Sequence, residues 1–216
     1  MASKFTAANS QYLNTTAAPV TAVPLTMACW FNCPDGSNQA LINLGNTSNN
    51  DRWLLIADGN TAGDPLSFDC IQAAVSTSAS PARSTSGFAI NTWQHGCGVA
   101  ASTSSRTVYL NGGSSTTNTD TRTPMAPTRL IVGGRLVNGI VGLYSNGLIA
   151  EVGIWNAALT AQEVGSLAKG MTCDKIRPQS LVFYAPLVRD LIDQKGGLTI
   201  TNNNGATVDN HLRVYA

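Results

Sequence analysis

Apolar residues recur at every second position along most of this chain. In LTMACWFN, Leu25, Met27, Cys29 and Phe31 point one way while Thr26, Ala28, Trp30 and Asn32 point the other, the pattern of a strand with two distinct faces. Further strands are predicted at Phe5 to Leu13, Gln39 to Leu44, Trp53 to Ala57, Leu66 to Ile71, Trp93 to Ala101, Thr107 to Leu110, Arg129 to Val132, Leu148 to Trp155 and Leu181 to Leu187, with a weaker one near Leu198 to Thr201. Between them fall Asp35-Gly36, Asp58-Gly59, Asn111-Gly112, Asn138-Gly139, Asn146-Gly147 and Asn204-Gly205, pairs that tolerate positive φ. Many short strands separated by such turns predict an all-β fold, an antiparallel sandwich or jelly roll. The 216 residues suffice for one such unit, so a single domain over 1–216 is expected. Ser76 to Ser86 and Gly113 to Thr123, rich in Ser and Thr, read as surface loops.

One stretch departs from the two-residue period. In GLIAEVGIWNAALTAQEV, Leu148, Ala150, Val152 and Ile154 are expected on one strand face and Ile149, Glu151, Gly153 and Trp155 on the other. Then Thr160 and Glu163 stand at the spacing of a capping box, with Leu159 and Val164 where a hydrophobic staple packs and Gly170 placed as a C-terminal stop. One short helix over 161–169 follows, with Thr160, Glu163, Trp155 and Trp93 in structural roles.

Charge narrows the partners. Only 12% of residues are charged, the net charge is +1 and no basic run occurs, so neither nucleic acid nor an anionic membrane is expected to bind. The segment MASKFTAANSQYLNTT has no apolar signal core, and no run reaches the length of a membrane span, so synthesis in a cytosol is expected. Five cysteines (Cys29, Cys33, Cys70, Cys97, Cys173) are an odd number without a dense framework and read as reduced, buried residues. With His95 and His211 the only histidines, no zinc set is expected.

The stretch IAEVGIWNAALTAQEV, with the helix after it, resembles the late signature of laminin-G-like jelly rolls of the concanavalin A-like lectin and glucanase superfamily. WQHGCGVAASTSSRTVYLNGG resembles that family's central hairpin, and FTAANSQYLNT and LTMACWFN its first two strands, so the resemblance runs in order from Phe5 to Lys169. The tail LVFYAPLVRDLIDQKGGLTITNNNGATVDNH resembles the closing segment of jelly-roll proteins encoded by tailed bacteriophages, which implies that 171–216 is an extension returning to the sandwich.

The resemblance admits glycoside hydrolases, lectins and virion proteins. Hydrolysis needs two facing carboxylates, which related glucanases place at alternate positions on one strand. Here the only glutamates are Glu151 and Glu163, and no two carboxylates are separated by a single residue, so no catalytic residue is assigned. GLYSNG is not a nucleophile elbow. Calcium is admitted by the family, and Asp51, Asp58, Asn60 and Asp64 crowd one region, but Asp58-Gly59-Asn60 reads more simply as a turn and no metal site is assigned. A sugar needs an aromatic face with amide or hydroxyl donors, for which Trp30, Trp53 and Tyr144, with Asp58, Asn60 and Asn138 nearby, are candidates. The resemblance thus implies first a non-catalytic phage virion protein, a capsid decoration or head or tail appendage. It would be assembled in the host cytoplasm against capsid or other virion proteins, with glycans as a further partner and a homo-oligomer fitting that setting. The second reading is a carbohydrate-binding adhesin or lectin module, with or without calcium, and a glycoside hydrolase is a distant third.

Overall fold

The computed structural model describes residues 2–73, 81–188, 190–211 and 214–215. Its strands are β1 (Ala2–Phe5), β2 (Tyr12–Thr15), β3 (Leu25–Asn32), β4 (Gln39–Gly45), β5 (Arg52–Ala57), β6 (Pro65–Ile71), β7 (Ala82–Gly87), β8 (Gln94–Ser102), β9 (Ser105–Leu110), β10 (Gly113–Asn118), β11 (Arg129–Val132), β12 (Arg135–Val137), β13 (Ile140–Gly142), β14 (Gly147–Trp155), β15 (Leu181–Ala185), β16 (Ile200–Asn203) and β17 (Thr207–Asp209). Among the described residues there is one α-helix, α1 (Ala161–Ala168). Sheet one has the order β10-β9-β8-β3-β14-β1-β17, with β15 also on β14; sheet two runs β16-β2-β11-β4-β5-β6-β7. Pairing within both is antiparallel. This is the expected two-sheet jelly-roll sandwich with one short helix.

The alternation in β3 is realised as read: Leu25, Met27, Cys29 and Phe31 enter the core between the sheets, which they share with Ile42, Leu44, Leu55, Leu66 and Phe68 of sheet two. Burial of this apolar set is the main driving force for closing the sandwich. The sheets approach closely at Gly98, where a Cβ would stand 2.5 Å from the Phe68 ring. The Asn-Gly pairs at 111–112, 138–139 and 204–205 have positive φ at both residues, as tight hairpin turns require. The two Asp-Gly pairs do not; Gly59 is needed because a Cβ there would lie 2.0 Å from the Gly36 carbonyl oxygen.

Four local expectations are corrected. Phe5 to Leu13 is not one strand: a 3-10 turn at Ala7–Asn9 sends β1 into sheet one and β2 into sheet two. Gln11 holds that crossing, accepting from the Thr6 amide at 2.7 Å and donating to the Gly205 carbonyl at 2.9 Å. Within the supposed loops, 82–87 and 113–118 are strands β7 and β10, while 76–80 lie outside the described residues. Their Ser and Thr hydroxyls join the sheet edges, through Thr116 to the Arg83 carbonyl (2.5 Å) and Ser86 to Ser114 (2.6 Å). Finally, β14 contains a bulge between Ala150 and Gly153 with Glu151 at φ 53°. The extra residue resets the alternation, so Ile149 faces the inter-sheet core with Val152 and Ile154.

Beyond the bulge, Trp155 turns to the outer face of sheet one and anchors a second core with Ala28, Cys97, Leu159, Val164, Leu167, Cys173, Ile176 and Tyr184. The capping box forms: the Glu163 amide donates to Thr160 Oγ1 (3.3 Å) and the Thr160 amide to Glu163 Oε2 (2.7 Å). Leu159 and Val164 are both buried beside it, and Gly170 has φ 96° just past the helix. Arg177 donates to the same Glu163 carboxylate (2.6 Å), tying helix to tail. The tail then contributes β15 to β14, β16 to β2 and β17 to β1, joining both sheets.

His95 is buried on the outer face of sheet one, edge-on to Trp30, and burial holds its imidazole neutral with a pKa lowered to about 3. The unfolded chain takes up this proton near pH 6.5 and the folded one does not, so stability falls as pH drops between those values. From pH 7 to pH 5 the loss from this group is expected to be about 2 kcal/mol. Urea midpoints of the wild type and His95→Gln at the two pH values check this; equal pH slopes in both proteins would contradict it.

Candidate functional site

Sheet one is covered on both sides, by the inter-sheet core and by the second core under α1 and the tail. Among the described residues, the outer face of sheet two is covered only in part, by the β12–β13 hairpin. Asn43 on β4 pins this hairpin: its Oδ1 accepts from the Leu136 amide at 2.7 Å and its Nδ2 donates to the Trp53 carbonyl at 2.8 Å. Ser145 secures the other end by donating to the Ala40 carbonyl at 2.6 Å. The segment 133–146 is thus a flap over the sheet.

Beside the flap lies a cleft of about 240 Å³. Its wall and floor come from outward-facing positions two apart: Arg52, Leu54 and Ile56 on β5, Ser67, Asp69 and Ile71 on β6. Pro81 and Arg83 close one side and Arg135 of β12 the other, with Asp58 at the end. The floor is aliphatic and the rim charged.

Several polar groups here have no protein hydrogen bond. Arg52 Nε, Asp69 Oδ1, Arg83 Nε and Arg135 Nε are all buried atoms without one. Arg52 is only 7% exposed, and its guanidinium is anchored by Nη1 donating to the Asn50 carbonyl at 3.0 Å. Burial, and then the neighbouring Arg135 charge, lower the pKa of Arg52; burial raises that of Asp69, against the pull of Arg52. Asp58 is more fully engaged, accepting from Thr61 Oγ1 (2.9 Å) and Ser67 Oγ (3.1 Å), with Arg83 Nε at 3.5 Å. Such half-buried, unmet donors and acceptors above an apolar floor suit a polar ligand.

Of the residues singled out for binding in the sequence, Asp58 lines this cleft. Asn60 is exposed on the adjoining turn, its amide donating to Asn38 Oδ1 at 2.9 Å. Asn138 sits at the tip of the flap, its amide on the Asn49 carbonyl. Tyr144 stacks on Tyr12 with ring centroids 6.0 Å apart and donates to the Val141 carbonyl. Trp53 lies apart from this cleft: it is 2% exposed, packed in the inter-sheet core and stacked on Phe68, and it borders a separate hollow with Thr21, Arg122 and Thr123. The residues lining the cleft include no aromatic platform. In the sequence Arg52, Asp69, Arg83 and Arg135 are each a lone charge in a strand and carry no motif; their one readable signal is that Arg52 and Asp69 share the outward phase of RWLLIA and SFDCI.

Asp51 and Asp58, two of the aspartates crowded in this stretch of sequence, are held by protein donors. Both carboxylate oxygens of Asp51 are occupied by backbone donors, the Ala73 and Met125 amides, each at 2.5 Å, and Asp58 faces hydroxyls and a guanidinium. Among the described residues no group of three or more His, Cys, Asp or Glu side chains gathers around a common point. Glu151 is buried at the bulge, accepting from the Tyr184 hydroxyl at 2.6 Å with His211 Nε2 at 3.3 Å, and Glu163 is spent on the helix cap.

Solved structures share this architecture. The heptameric SAP-like pentraxin from Limulus polyphemus superposes with a TM-score of 0.61 at 16% identity, over 91% of this chain and 87% of that one. A putative carbohydrate binding protein from Bacteroides ovatus gives 0.64 at 18%, over 95% of this chain and 58% of that one. The CBM40 of the Ruminococcus gnavus IT-sialidase, bound to alpha2,3 sialyllactose, gives 0.58 at 11%, over 69% and 84%. At these identities the likeness is one of fold. No curated protein sequence matches the chain. A family model matches residues 7–165, from the turn before β2 through β14 to the start of α1, and the chain therefore belongs to the laminin-G-like family Laminin_G_3 of the concanavalin A-like lectin/glucanases superfamily.

Proposed function

We propose that the protein is a non-catalytic, lectin-like module that holds a glycan in the cleft on the outer face of sheet two. The observation that carries this reading is the set of unmet buried donors and acceptors above the Leu54 and Ile56 floor, on the sheet face that neither α1 nor the tail covers. A sugar presents what such a surface lacks, hydroxyls that donate and accept together with apolar C–H faces. Two neighbours in fold were solved with glycans, the sialyllactose-bound CBM40 and domain 4 of a Geobacillus stearothermophilus arabinanase in complex with arabinotriose. The reading is non-catalytic: Glu151 and Glu163 are engaged by structural partners away from the cleft, and of the two cleft carboxylates Asp58 is held by Thr61, Ser67 and Arg83. On a glycan array the protein is expected to bind a restricted set of glycans, equally with calcium and with chelator; an empty array under both conditions would overturn the proposal.

The same module is proposed to work on a bacteriophage particle, as a decoration or appendage protein assembled in the host cytoplasm against capsid or other virion proteins. Two things favour this setting: the phage-like closing segment, and five cysteines that are all free and buried. Burial pushes the pKa of the Cys33 and Cys70 thiols up to about 12, so they stay protonated and inert at neutral pH. The protein should cosediment with purified virions, and its absence from them would remove this part of the reading.

A further inference from the structure

We propose that the cleft selects an acidic sugar, whose carboxylate or sulfate is held by Arg52 and Arg135 while a sugar hydroxyl donates to Asp69. This rests on the glycan-binding reading and names the ligand class for that same cleft.

The charges do not balance without a ligand. Among the described residues, three guanidinium groups line the cleft against two carboxylates. Asp58 is matched with Arg83 at 3.5 Å, and Asp69 lies in the field of Arg52. Arg135 has no side-chain hydrogen bond or ion pair among the described residues, and its Nε is buried. Arg52 is desolvated by burial, and the Arg135 charge faces it as a like charge across the cleft. Placing two guanidinium groups together with little water is costly unless an anion joins them, and a planar fork of N–H donors matches carboxylate or sulfate oxygens.

The ligand must also be a donor. Asp69 Oδ1 is a buried acceptor with no partner, and a bare inorganic anion has nothing to give it. A sugar bearing an acidic group satisfies both needs at once. The absence of an aromatic face among the lining residues points the same way, because affinity must then come from charge and hydrogen bonds rather than stacking.

Calorimetric titration of the full chain with 3′-sialyllactose, a sulfated chondroitin disaccharide, lactose and sodium sulfate tests this. At least one acidic glycan should bind about 10-fold or more tightly than lactose, weaken as salt rises from about 50 to about 300 mM, and lose about 10-fold or more with Arg135→Ala. Arg135 stands on the flap rather than in the core, so that variant should keep its melting temperature. Arg135→Lys, which keeps the charge but not the fork, should recover only part of the affinity. Lactose binding as tightly as the acidic glycans would overturn the inference and leave the lectin reading intact. Sodium sulfate binding as tightly as the glycans, or acidic glycans binding Arg135→Ala undiminished, would also overturn it. Loss of binding to every glycan would defeat both readings.

Discussion

Trp155→Ala is expected to lower the stability of the folded chain by about 3–5 kcal/mol, the largest effect of any single truncation in the second core. Trp155 is fully buried, the largest side chain of that core, and its indole Nε1 donates to the Ile176 carbonyl at 2.8 Å. Its ring occupies the space left by Gly153, where a Cβ would come within 2.6 Å of it and within 2.7 Å of Cys173 Sγ. Alanine empties the volume between β14, α1 and the segment from Met171 to Leu181, and it orphans the Ile176 carbonyl. Trp155→Phe keeps most of the packing and should recover more than half of the loss. The difference in urea unfolding free energy between these variants and the wild type measures it. A loss under about 1 kcal/mol would mean that α1 is not held to the sheet through this residue.

Asp193→Ala should release the C-terminal extension. The Asp193 carboxylate is 6% exposed and collects four backbone donors: the Tyr184, Lys195 and Gly196 amides on Oδ1 at 3.0, 3.0 and 3.1 Å, and the Leu198 amide on Oδ2 at 2.9 Å. It therefore folds the turn between β15 and β16 around itself and locks the turn to β15. Alanine leaves these donors with no partner, and the expected loss is about 2–4 kcal/mol. Asn, which keeps one acceptor oxygen, should lose about half as much. Limited proteolysis localises the effect: new cleavage should appear in 190–199 before any in β3 or β5. Uniform cleavage along the chain would show that the extension and the sandwich open together.

The sandwich was legible because period-two alternation reports which side of a strand meets the core, and β3, β5, β6 and β9 send alternate residues into it along their apolar stretches. Alternation failed where geometry departs from it. A bulge at Glu151 shifts the phase of β14, and no residue type in AEVG announces it, since Glu is not a usual choice at positive φ. The polar strands β7 and β10 lack an apolar alternation because their side chains cross-link two sheet edges instead of filling a core. The capping box at Thr160 and Glu163 was readable to the residue, because its chemistry is local.

The cleft was hidden for the opposite reason. Its charges come from β5, β6, β7 and the flap strand β12, which are far apart in sequence and meet only through strand register. The tryptophans of this sandwich are spent elsewhere: Trp53 and Trp155 in the two cores, Trp30 against His95, and Trp93 near His211.

The most direct test of the account is where a glycan touches the protein. Amide chemical shifts of the full chain, followed while the tightest-binding array glycan is titrated in, should move at 52–58, 67–71, 81–83 and 135, and stay still in α1 and around the Asp193 turn. Shifts centred on α1, on the turns near Asn111 and Asn204, or on no contiguous surface would contradict a binding site on the outer face of sheet two.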